Sequence, residues 1–203
     1  MEFYHTPEAH SNFIKKSELP LIKSITSHLS LKKIKKKEFV LKVGEINDSI
    51  IYVKTGLLRV YLINEGKEIN TWFVNEDELF LSMNSFYRNL PTHENIQALE
   101  DCEILTIHKN TYDLLLKENH NLALFAINEL YIKLCEYQDQ CLALRFMNAE
   151  KKYAFLKENR PEIIEKLSQK HIASFLGVET TYLSRIISNY TKTDIQKYSN
   201  EYY

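Results

Sequence analysis

Seven side chains near the C-terminal end of this sequence have the chemistry to read the edge of a DNA duplex. Gln169, Lys170, Thr180, Thr181, Tyr182, Ser184 and Arg185 supply amide, ammonium, hydroxyl and guanidinium groups. Such groups contact phosphates and base edges, and Arg185 also suits guanine O6/N7. They lie within Leu167–Asn189, where Leu167, Ile172, Ala173, Leu176, Val178, Leu183, Ile186 and Ile187 fit two short helices broken at Gly177. Ala173 is small where two helices must approach, and Gly177 can take the φ > 0 that a sharp helix turn requires. Leu183 and Ile186 then pack back onto Ile172 and Leu176, leaving the polar set on the opposite face. The pattern predicts a helix-turn-helix whose second helix enters the major groove. An ordinary helical hairpin would share this core, so the upstream chain has to separate the two.

Upstream, residues 11–31 read as a helical lead-in, with Phe13, Ile14, Leu21, Ile22, Ile25 and Leu29 at helical spacing and Pro20 at a boundary. The run Lys32–Lys37 holds five lysines in six positions. It directly precedes a predicted strand and is expected to be a solvated edge. From Glu38 to His108 the pattern becomes short β-branched and aromatic runs: Phe39–Val43, Ile50–Lys54, Leu57–Ile63, Ile69–Val74, Leu79–Met83, Ile96–Leu99 and Ile104–His108. Turn residues separate them and no helix intervenes, which predicts an antiparallel sandwich or roll. Residues 109–120 then form a short helix, and Asn121–Met147 one long helix without Gly or Pro.

In that long helix Ile127, Leu130, Leu134, Tyr137, Cys141 and Leu144 step by 3, 4, 3, 4, 3, an a/d seam suited to a second copy of the chain. The alternative is one buried helix in a monomer. Leu122, Phe125, Ile132 and Phe146 on its other faces are expected to pack on the roll. Asn148–Asn159 is a further amphipathic helix, and Pro161 starts the segment leading to the hairpin. The tail Tyr190–Tyr203 lacks an apolar period and is expected to be frayed or weakly docked. The fold class is therefore α+β, divided into a roll at 1–120, a linking helix at 121–147 and a helical domain at 148–203.

Bulk properties narrow the function classes. The chain has 203 residues, 44% hydrophobic and 26% charged, with a net charge of −1. Residues 148–203 carry nine Lys/Arg against seven Asp/Glu, too slight an excess to decide a partner. Cys102, Cys135 and Cys141 form no CxxC pair, so neither a disulfide framework nor a zinc site is expected, and a reducing cytoplasm is the simplest location. Cys135 and Cys141 are read as buried structural thiols. Met1–Lys16 shows no signal peptide, and no apolar run is long enough to span a bilayer. No metal site is expected. His93 and His108 are the only histidines in Glu38–His108, which leaves no His-x-His or facial set for an enzyme built on a β-roll.

Gly44-Glu45, Asp48, Tyr52, Gly56, Arg59 and Tyr61 resemble the opening of the cyclic-nucleotide-binding β-roll of the Crp/Fnr regulators. The chain has four glycines: Gly44, Gly56 and Gly66 fall at turns of the roll, and Gly177 at the helix-turn-helix. The resemblance spans Ser11 to Asn189 in the family's order of roll, long helix and helix-turn-helix. It implies a bacterial, cytoplasmic, homodimeric transcription regulator acting on palindromic double-stranded DNA. RNA polymerase and a small-molecule effector of unknown identity are the further partners, and no membrane is involved.

The effector site departs from the family, whose rolls hold the cyclic phosphate with a Phe-Gly-Glu turn and a later Pro-Arg-x-Ala-Thr/Ser. Here neither that glycine nor that glutamate is present near Phe80, and Thr92 follows Pro91 where the arginine is expected. Losing a buried guanidinium–phosphate pair costs about 3–5 kcal/mol by analogy with other buried charge pairs. Cyclic AMP is therefore not expected to bind. Ser82, Met83, Asn84, Arg88, Pro91, Thr92, His93 and Asn95 remain the candidate pocket, with Arg88 or His93 as substitute cations. No cysteine precedes Cys102, so the iron–sulfur cluster of the Fnr branch is not expected, and scattered histidines give no haem ligand.

On the reading helix, Thr180 and Thr181 stand where the family carries Arg and Glu, while Arg185 matches its last arginine. A different base preference follows. Lys192 and Lys197 are further phosphate candidates, but no β-hairpin wing follows the helix. Few phosphate contacts imply modest affinity with strong salt dependence. The rival reading is a hairpin that contacts a protein instead of DNA.

Overall fold

The computed structural model describes residues 25–200, and the side chains of residues 25–190. The predicted lead-in at 11–24, the side chains of Lys192 and Lys197, and residues 201–203 lie outside this range.

Eight antiparallel strands form the first half: β1 (Ser30–Ile34), β2 (Phe39–Leu41), β3 (Ser49–Thr55), β4 (Leu58–Asn64), β5 (Lys67–Val74), β6 (Leu79–Phe80), β7 (Asn95–Ala98) and β8 (Cys102–His108). They make two four-stranded sheets, ordered β1-β8-β3-β6 and β2-β7-β4-β5. Alternation along each strand sends one set of residues between the sheets. Ile51, Val53 and Ile104 from the first sheet meet Leu41, Leu58, Val60, Val74, Ile96 and Ala98 from the second. This is the expected jelly-roll body. The β4–β5 hairpin closes through Glu65 (φ 50°) and Gly66 (φ 75°), two left-handed residues whose twist matches the strands.

A six-residue helix, α1 (Met83–Arg88), bridges β6 and β7, followed by α2 (Lys109–Glu118). Phe86 of α1 and Tyr112 and Leu115 of α2 pack on Ile50 and Ile107, the outward side of the first sheet. Burial pushes the Tyr112 hydroxyl up to about 12. The long helix α3 (His120–Phe146) follows, then α4 (Ala149–Asn159), α5 (Pro161–Lys166), α6 (Gln169–Leu176) and α7 (Thr180–Asn200). Two compact units divide inside α3, after Cys135. Among the described residues no helix is long and apolar enough to cross a membrane.

Several expectations need correction. Ser30 and Leu31 are not the end of a helix. They open β1, and three of the six positions of the basic run are strand, paired with β8 from Ser30↔Thr106 to Ile34↔Cys102. Pairing, not local pattern, makes this strand, and its lysines are exposed as expected of an edge. The strand expected over Leu79–Met83 stops at Phe80, because Ser82 is the N-cap of α1 and Asn89 its left-handed end. Cys135 and Cys141 are exposed within the single chain, and Cys102 is the buried thiol. Phe146 is 70% exposed, whereas Leu122 is buried. The reading helix runs past Asn189 to Asn200, and its Tyr190 packs edge-on against Tyr153 of α4, ring centroids 5.7 Å apart, with Lys157 over its face.

Candidate nucleic-acid interface and effector corner

The hairpin is set by its caps. The Ser168 side chain accepts from the His171 N–H and starts α6. Gly177, at φ 71°, ends α6 in the left-handed region, and the Val178 N–H returns to the Ala173 carbonyl. This Schellman-type closure reverses the chain within three residues, and α7 starts at Thr180. Ile172, Ala173, Leu176, Leu183 and Ile186 are all buried, with Ile163, Leu167, Tyr153 and Leu156 completing the core.

With that face inward, Gln169, Lys170, Thr180, Thr181, Tyr182, Ser184 and Arg185 are all exposed. The structure sorts them. Leu183 and Ile186 mark the buried side of α7, so at 100° per residue Thr181 points most directly away, with Arg185 and Ser184 about 50° to either side of that direction. Ser188, also exposed, continues that line one turn on. Sequence reading missed it, although its i+3 spacing from Arg185 was the available signal. Arg185 makes no ion pair among the described residues. The flanking residues are engaged: the Ser184 hydroxyl donates to Gln169 Oε1 at 2.8 Å and the Tyr182 hydroxyl donates to Glu150 Oε1 at 2.6 Å. That last hydrogen bond raises the phenol and lowers the carboxyl relative to their ordinary values. Glu150, in the first turn of α4, was not foreseen, because nothing in its local sequence connects it to Tyr182.

All six seam residues of α3, Ile127, Leu130, Leu134, Tyr137, Cys141 and Leu144, are exposed, and Leu134 reaches 64%.

The effector candidates divide. Ser82, Thr92 and Asn95 are buried, Met83 is half-buried, and Asn84, Arg88, Pro91 and His93 are exposed. The buried ones form a closed corner. The Ser82 hydroxyl donates to Glu94 Oε2 and shares a 2.9 Å hydrogen bond with the Thr92 hydroxyl. Thr92 Oγ1 in turn accepts from the Glu94 N–H at 3.0 Å. The Ser82 N–H donates to Asn47 Oδ1 (2.7 Å) and the Asn47 N–H to Ser85 Oγ (2.8 Å). The Thr92 backbone bonds Gly44 and Glu45. Asn95 accepts from the Val43 N–H, and its buried Nδ2 has no hydrogen-bond partner. The corner thus presents a carboxylate and two hydroxyls, and neither Arg88 nor His93 is buried with them. Arg59 is committed elsewhere, to Glu68 Oε2 (2.7 Å) and Gln97 Oε1 (2.6 and 2.9 Å) and over the Tyr61 ring. Among the described residues no group of three or more His, Cys, Asp or Glu is placed to hold a metal ion.

Comparison with known proteins bears on both sites. The cyclic nucleotide-binding domain family matches residues 31–119. FixK2 from Bradyrhizobium japonicum superposes with a TM-score of 0.72 at 16% identity, over 82% of this chain and 86% of that one. The c-di-GMP-responsive global regulator CLP of Xanthomonas campestris gives 0.69 at 15% identity, over 86% and 92%. A transcriptional regulator of the crp/fnr family from Eubacterium rectale, described as putative in its structure report, gives 0.65 at 18%, over 86% and 84%. At such identities the likeness concerns the fold. No curated protein matches the sequence significantly.

Proposed function

We propose, from the premise that this chain carries a cyclic nucleotide-binding domain over residues 31–119 within the fold of the Crp/Fnr transcription regulators, that it is a sequence-specific DNA-binding regulator. One observation carries the reading: on a helix whose other face is locked into a capped hairpin, Thr181, Arg185 and Ser188 form an outward polar row. A recognition helix needs this arrangement to meet base edges. Selection of bound duplexes from a random pool at low salt should enrich a palindrome. Arg185→Ala should then weaken binding of the winner by about 1–3 kcal/mol. No enrichment, or enrichment indifferent to the mutation, would overturn the assignment.

The regulator acts as a homodimer in this reading, because six apolar or aromatic seam positions of α3 stand exposed in one chain and two-fold symmetry suits a palindromic site. A cytoplasmic location and RNA polymerase as a partner follow from transcription regulation in a bacterium.

The roll does not take cyclic AMP. Its corner offers an anion the Glu94 carboxylate and no buried guanidinium, so a cyclic phosphate would meet like charge where it needs a cation. Titration with cyclic AMP, cyclic GMP and the c-di-GMP to which CLP responds should leave the thermal midpoint unchanged. A saturable rise with any of them would sink this part of the proposal.

A second reading, a hairpin that docks on a protein, has one observation in its favour: the Glu150 and Glu179 carboxylates lie exposed beside the start of α7. Failure of the duplex selection with a folded protein would bring it forward.

A further inference from the structure

The two flanks of α7 differ in chemistry. On the α6 side, the Ser184 hydroxyl occupies Gln169 Oε1, which turns the Gln169 amide NH₂ outward as a donor. That edge suits phosphate oxygens. On the α4 side, Tyr182 is 42% exposed, yet its only polar atom beyond the backbone is taken up by Glu150. The phenol O–H is directed at a carboxylate, so the donor is spent and the exposed ring is what meets a neighbour. The Glu150 carboxylate is exposed and repels phosphate. This flank is built against the DNA backbone and for an apolar partner.

Tyr182 also stands in the first turn of α7, and the N-terminal residues of a recognition helix are those that reach base edges. The one apolar group on a major-groove base edge is the thymine C5-methyl. We propose that Tyr182 reads a thymine methyl with its ring and that Glu150 is the positioning residue that holds the ring in place. This rests on the DNA-binding reading and adds a base identity to it.

The test uses the selected duplex with each thymine replaced in turn by uracil, which pairs identically but lacks the methyl. Binding of the full chain is read by fluorescence anisotropy. One thymine per half-site should matter, its replacement weakening wild type about four-fold, the value of burying one methyl-sized group. Tyr182→Ala should bind the thymine and uracil duplexes alike, and Tyr182→Phe should keep the preference because the ring remains. Glu150→Ala should reduce the preference at an unchanged thermal midpoint, which a purely structural role would not produce. Wild type indifferent to every uracil, or Tyr182→Ala with an intact preference, overturns the inference alone. Full preference in Glu150→Ala removes Glu150 from it. No binding to any duplex overturns this inference and the regulator reading together.

Discussion

Gly56 shows what a single residue contributes to the roll. Its φ is 103°, and a Cβ there would lie 2.5 Å from Cys102 Sγ and 2.9 Å from the Asp101 carbonyl oxygen. Gly56→Ala combines backbone strain with overpacking and should lower the unfolding free energy by roughly 2–4 kcal/mol in urea titrations. At Gly44 and Gly66 a Cβ would meet nothing within 4 Å, so alanine there should cost only the left-handed strain, about 1 kcal/mol. The turns themselves were legible in the sequence because glycine is scarce in it. The close approach of Cys102 was not, since folding alone brings the two together. The effector corner has the same asymmetry. That no glycine or glutamate stands near Phe80, and no arginine after Pro91, could be read directly. That Ser82, Thr92 and Glu94 would satisfy one another could not, because hydroxyl partners are chosen by tertiary geometry.

At the scale of elements, β1 was the strand the sequence concealed. Ser-Leu-Lys-Lys-Ile has no clean alternation, and its strand state comes from pairing with β8. Its lysines and their neighbours meet acids on the facing segment: Lys33 and Lys54 at Glu103, Lys35 at Asp101. The hydrogen bond from Lys35 and the Lys36 N–H hold the Asp101 carboxyl below its usual range, and Lys54 and then Lys33 do the same for Glu103. Depressed carboxylates stabilise the fold above their unfolded pKa, and that share is lost as pH falls through the folded value. The thermal midpoint of wild type should therefore exceed that of Asp101→Asn/Glu103→Gln near neutrality, with the gap closing below about pH 4. Equal midpoints throughout would show that these surface pairs contribute nothing. Lys35 is raised, so its share persists through neutrality and disappears only in strong alkali. By contrast, the 3,4 stepping of α3 was readable because it is local, whereas Tyr190 of α7 meets Tyr153 in a contact no local pattern reveals.

At the scale of the molecule, the proposed dimer rests on the exposed seam of α3. A double substitution Leu130→Asp/Leu134→Asp puts four carboxylates into a paired helix and should convert a dimer to a monomer in sedimentation velocity, with the circular dichroism retained. The monomer should lose preference for a palindrome over a single half-site. Half-sites should lie about one helical turn of DNA apart, 10–10.5 base pairs, or a multiple of it. A wild-type protein that sediments as a monomer at micromolar concentration would refute the dimer.

The closed corner also has a consequence for redesign. Phosphate binding cannot be introduced here by one substitution. Thr92→Arg alone would set a guanidinium beside Glu94, which would neutralise it before any ligand arrived. Glu94→Ala alone would strip the Ser82 hydroxyl of its acceptor, and Ser82→Gly alone would leave the carboxylate without its donor. Each single step toward a phosphate site is uphill, so the three residues would have to change together.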